Sequence, residues 1–136
     1  MRRFALAVIV TAALAGPALA QAAMNAAEAR RTFLGIDMEG VHQPSGIHWR
    51  ECIDRAGKTL YEFGESTDEG RLTIRADGAL CFSYASRGFR DTACWVIKPA
   101  GRGNFRFENT DGETGVFLTT AAHRTNSCAP HGAPIS

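Results

Sequence analysis

Between Phe33 and Thr120 the chain breaks into short runs in which apolar and polar residues alternate, separated by glycine-containing turns. A period of two puts one set of side chains on one face of a strand. Eight such runs, rich in aromatic and β-branched residues, occupy 33–41, 46–53, 58–63, 71–76, 79–85, 92–98, 104–109 and 114–120. Nothing in this region holds a helical period of useful length. Short strands at regular spacing predict an all-β domain over 33–120: a small antiparallel up-and-down meander of about eight strands, closed as a lipocalin-like barrel. A two-sheet sandwich is the alternative. Residues 21–32, Ala-rich with Glu28, Arg30 and Arg31, read as a short helix or lead-in, and 121–136 as a polar tail.

Turn chemistry tests the alternation, because a one-residue slip turns every side chain to the opposite face. A three-residue loop at Ala76-Asp77-Gly78 sets Ile74 against Leu80 and Leu72 against Phe82, with Gly78 at the left-handed position such loops require. The same logic at Arg55-Ala56-Gly57 pairs Trp49 with Phe63. A five-residue loop at 99–103 would pair Ile97 with Phe105, and Thr110-Asp111-Gly112 would pair Phe105 with Phe117. One inner face then carries Trp49, Tyr61, Phe63, Phe82, Tyr84, Trp95, Phe105, Phe107 and Phe117. Nine such rings would largely fill a barrel made from strands this short.

The first twenty residues carry a different message. Arg2 and Arg3 precede the apolar run from Phe4 to Leu14, Gly16-Pro17 break it, and Ala18-Leu19-Ala20 supply small residues. This is the pattern of a secretory signal peptide, 1–20, cut after Ala20 or, second, after Ala22. The run is too short for a permanent anchor, so no membrane span is expected in the mature protein. An exported chain with four cysteines points to two disulfides in an oxidising compartment, periplasmic or secreted. Matching faces across the 79–85 and 92–98 hairpin places Cys81 directly opposite Cys94, within bridging reach. Cys52 is then left to Cys128, tying the tail back across the domain.

Charge adds mainly exclusions. The 136 residues carry 15 Lys and Arg against 14 Asp and Glu, a net charge of +1, which argues against nucleic acid held by bulk electrostatics. No closely paired cysteine ligands suggest zinc, and no nucleotide-cofactor or catalytic motif occurs. His42 and His48 flank Ser45 without any spacing that fixes a nucleophile and base, and His123 and His131 fall in the tail.

In order, Phe33-Leu34-Gly35, Trp49-Arg50-Glu51, Gly57 to Tyr61, Gly70-Arg71-Leu72-Thr73-Ile74, Asp77-Gly78-Ala79-Leu80-Cys81-Phe82 and Cys94-Trp95 form a pattern whose most specific part is D-G-x-L-C-F followed by C-W. Over roughly 26–109 this resembles small secreted or periplasmic proteins of Proteobacteria, several families of which are filed as domains of unknown function. The resemblance implies a signal-bearing β domain of modest size and supplies no catalytic residues.

Two sets of residues stand out as candidate sites. Glu51 shares the inner face with Trp49, opposite Tyr61; it reads as a rim residue reaching solvent, the alternative being an internal polar site in which Tyr61, Tyr84 or an inward arginine satisfies the carboxylate. Arg50, Arg71, Arg75 and Arg90 face outward, the last three near the cysteine-bearing strands, and are candidates for gripping a partner. With the loops at 42–46, 64–70 and 99–103 they predict a non-enzymatic periplasmic module that binds a protein or an envelope glycan, inhibition being one mode. The alternative is a lipocalin-like carrier of a small apolar ligand.

Overall fold

The computed structural model describes residues 22–112 and 114–131; the expected signal peptide lies outside the described residues. A short helix, α1 (Ala26–Phe33), precedes eight strands: β1 (Ile36–Gln43), β2 (His48–Ile53), β3 (Lys58–Phe63), β4 (Ser66–Ile74), β5 (Leu80–Tyr84), β6 (Thr92–Pro99), β7 (Phe105–Asn109) and β8 (Val116–Arg124). Each strand pairs antiparallel with the next, and β1 pairs with β8, closing an up-and-down barrel. The barrel, rather than the sandwich, is the fold. Closure leaves no unpaired edge. It also brings β1 so near β8 that a Cβ on Gly40 would collide with the Leu118 carbonyl, at a bulge between Glu39 and Gly40.

The early hairpins have the expected registers. Trp49 faces Phe63, Glu51 faces Tyr61, and Leu72 and Ile74 face Phe82 and Leu80. Gly78 adopts φ +91° in its three-residue turn, and a side chain there would strike the Met24 carbonyl. The later hairpins differ by two residues. Ile97 pairs with Phe107 rather than Phe105, and Phe117 also pairs with Phe107. The turn after β6 is shorter than expected, spanning 101–103, and the loop before β8 is longer, spanning 109–115. The 64–70 segment is not a loop: Gly64 and Glu65 make a two-residue turn, and β4 begins at Ser66. Beyond Ser83 and Thr92 the β5–β6 ladder gives way to a loop that contains a 3-10 turn, Ala85–Arg87.

Helix α1 closes one end of the barrel. Asn25 caps it: its side chain accepts from Glu28 N–H, while the Glu28 carboxylate accepts from Asn25 N–H. Eight residues cannot hold a helix in water unaided, so burial must do so. Ala29 and Phe33 are fully buried, with the Phe33 ring 5.0 Å from Phe105 and 5.7 Å from Phe107. At the other terminus of the helix, Arg124 donates to the Arg31, Thr32 and Leu34 carbonyls. The β1 strand therefore starts at Ile36, after the helix, and not at Phe33.

Both expected disulfides are present, Cys81–Cys94 across β5 and β6 and Cys52–Cys128 between β2 and the tail. The second lays the tail on the outer face of β1, β2 and β3. Under it Cys52, Leu60 and Asp37 are buried although they point away from the barrel interior.

Candidate functional site

All nine aromatic residues of the inner face point inward. They do not fill the barrel. Phe105 and Phe107 pack against Phe33 of α1, while the upper rings line walls around a cavity of about 720 Å³. The cavity opens at the end opposite the helix, where Ser86, Arg87, Asp91 and Asp111 form its mouth. Its walls include Trp49, Tyr61, Phe82, Tyr84, Trp95 and Phe117, with Trp95 and Phe117 edge-to-face at 5.0 Å and Phe82 and Tyr84 stacked at 6.3 Å. The volume lies within the range usual for small-molecule sites.

Glu51 is part of that wall and is only 4% exposed, so it is no rim residue. Strand β2 delivers it because alternation from Trp49 turns both inward. Its Oε2 accepts a 2.8 Å hydrogen bond from the Tyr84 hydroxyl, not from the Tyr61 opposite it. Its Oε1 is buried with no partner, as are Trp49 Nε1 and the Thr59 hydroxyl oxygen. Burial pushes the Glu51 carboxyl up to about 8, and the nearby Tyr84 and Thr59 hydroxyls pull it back only in part. Burial, with the Glu51 charge second, also raises Tyr61 and Tyr84 above the ordinary phenol range. At neutral pH the carboxyl is therefore mainly protonated, beside two protonated tyrosines.

The outer arginines do not form one set. Arg50 sends Nε and Nη2 to the two oxygens of Asp37 at 2.8 and 2.6 Å, and Nη1 to Glu62 at 3.0 Å and the Ala129 carbonyl at 2.9 Å. The Asp37 hydrogen bonds, foremost, hold its guanidinium protonated more firmly than usual. Burial works to raise the Glu62 carboxyl, yet bonds from the His131 backbone and from Arg50 keep it below its ordinary range. Two strands away, Arg71 lies over the Phe89 ring at 5.2 Å, Arg75 pairs with Asp77 at 2.9 Å, and Arg90 is exposed.

The histidines serve local roles. His42 hydrogen-bonds Ser45 Oγ at 2.7 Å and the Thr114 carbonyl at 2.9 Å. A carbonyl only accepts, so Nε2 carries the proton and Nδ1 accepts from Ser45. The Ser45 oxygen also accepts from Ile47 N–H, which makes the pair a fastening of the β1–β2 hairpin. His48 is exposed and takes no part. In the tail, His131 bonds Glu62 at 3.0 Å and His123 lies 3.8 Å from Asp37. Among the described residues no group of three or more His, Cys, Asp or Glu could hold a metal.

Sequence reasoning placed Glu51 opposite Tyr61 and counted Tyr84 among the groups able to satisfy it, and of those Tyr84 is the one that donates. It missed the cavity and the acidic mouth. No protein-family model and no curated protein matches the chain. Among the described residues no helix is long and apolar enough to cross a membrane.

Proposed function

We propose that this is an exported, periplasmic binding barrel that takes a small, largely apolar ligand into its open end, the carrier reading and not the macromolecular one. The cavity of about 720 Å³, floored by packing against α1 and walled by aromatic rings, carries the proposal. Two disulfides favour an oxidising compartment and support export. The sequence resemblance to small proteobacterial periplasmic proteins agrees with the same reading. A partner surface built on the arginines is less favoured, because Arg50 is committed to Asp37 and Glu62.

The test is titration with the neutral fluorophore N-phenyl-1-naphthylamine. Ala93 sits at the mouth, exposed and on the cavity wall. Ala93→Trp should obstruct the opening without lowering the melting temperature and should abolish saturable fluorescence enhancement. Equal binding by wild type and variant would refute the cavity as the site.

A further inference from the structure

Within that reading, which the inference depends on, we propose that the ligand is a small organic amine bound as its ammonium ion, seated on the aromatic walls with its charge against the Glu51 carboxyl. Three observations carry this. First, Glu51 lines the cavity, and its Oε1 is buried without a hydrogen bond, as is the hydroxyl of the neighbouring Thr59. A buried polar atom left unpaired is costly, and a ligand that supplies the missing partner recovers that cost.

Second, among the described residues no cation answers it. From β1 the group opposite Glu51 is Met38; from β3 come Tyr61 and Thr59, from β4 Asp68, from β5 Tyr84. The one basic side chain on the cavity, Arg87, is at the mouth, 68% exposed and 3.9 Å from Asp91. Acids outnumber it: Glu51, Asp68, Asp91 and Asp111 all border the same space. Acids in excess of bases around the opening favour entry of a cation over an anion.

Third, the walls suit a cation as well as an apolar body. Tyr61 and Tyr84 lie 5.3 Å apart beside the carboxyl, and Trp49 and Trp95 each pack against Phe117. Ring faces attract an ammonium group, most strongly when water is excluded. An arriving ammonium stabilises the carboxylate, so Glu51 gives up its proton to solvent as the ion pair forms. The carboxyl O–H is the one bond broken, and its proton passes to water or buffer.

The experiment uses protein produced from the full-length chain and two matched probes, 2-phenylethylammonium and the neutral 2-phenylethanol, each competing against N-phenyl-1-naphthylamine. Wild type should prefer the ammonium by about tenfold or more. Glu51→Gln should collapse that preference while still binding the fluorophore. Calorimetry at pH 7 in buffers of different ionisation enthalpy should show about one proton released per ammonium bound by wild type, and none by Glu51→Gln. Equal affinity for the two probes, or a preference that survives Glu51→Gln, would overturn the amine assignment and leave the carrier reading standing. Fluorophore binding untouched by Ala93→Trp would overturn both.

Discussion

Arg50 and Glu51 are neighbours on one strand, and both are largely shielded from water, yet they are treated in opposite ways. Arg50 points out of the barrel beneath the tail, where its fork meets Asp37, Glu62 and the Ala129 carbonyl. Glu51 points in, where a single tyrosine hydroxyl answers it and one oxygen has nothing. Outside, the charge is paired and hydrogen-bonded, which a shielded ion needs if it is to serve structure. Inside, the acid is held neutral in a cavity. A fold tolerates such an unresolved group where something else is meant to resolve it.

The comparison breaks most sharply if the tail is released. Cys52 and Cys128 are 76 residues apart, against 13 for Cys81 and Cys94. Chain-entropy reasoning makes the longer closure worth about 4 kcal/mol, against about 3 for the shorter. Replacing both Cys52 and Cys128 by Ser should therefore lower unfolding free energy in urea by about 4 kcal/mol. It should uncover the Arg50 network while leaving fluorophore binding in the cavity unchanged. Loss of binding at temperatures where the variant is still folded would mean the two sides of β2 are not independent.

A smaller effect sharpens the inner half. Folded Glu51 holds its proton up to about 8, while the unfolded chain gives it up near 4.5. Between those values the folded state binds more protons, so stability is full below 4.5 and falls as pH rises through 8. Glu51→Gln removes that dependence. The variant should lose less stability than wild type as pH rises from 5 and, taking the two as equal below pH 4.5, be the more stable by about 3 kcal/mol at pH 7, measured by urea melts. Parallel pH profiles would place a charged, solvated Glu51 in the folded protein.

How far this contrast could be read from sequence depends on what alternation encodes. Period two fixed the faces of Trp49, Arg50 and Glu51, and the paired turns at 55–57 and 76–78 fixed the early registers. The β6–β7 and β7–β8 registers escaped because a slip of two residues keeps Ile97, Phe105 and Phe117 on the inner face, so burial cannot detect it. Cavity volume escaped for another reason. Counting inward rings does not say whether they pack on one another or stand around a space, and Phe33 of α1 takes up the lower rings. The tail has no period at all, and only Cys128 announced that it returns to β2; its cover over Asp37 and Glu62 had no sequence signal.

The smallest effect tests the outer half directly. Arg50→Met keeps most of the aliphatic length but removes every donor to Asp37, Glu62 and Ala129. Breaking an interior ion pair usually costs more than the pair contributes, because the remaining charge is stranded. Here two carboxylates would be left facing each other's strands under the tail, with His131 still bonded to Glu62 and His123 near Asp37. The side chains keep some solvent contact, 13% for Arg50 and 12% for Asp37, which lowers the penalty from that of a dry interior. The expected loss is about 2 kcal/mol at pH 7. It should shrink as pH falls through the carboxylate range, because Arg50 helps hold Glu62 below its ordinary value and that stabilisation is lost once Glu62 takes up a proton. This pH trend runs opposite to that of Glu51→Gln, whose advantage over wild type grows as pH rises. Urea melts of both variants across one pH series would show the divergence. A loss in Arg50→Met that is independent of pH would mean that the arginine stabilises by packing its stem, and that the outer face holds no working ion pair to set against the inner acid.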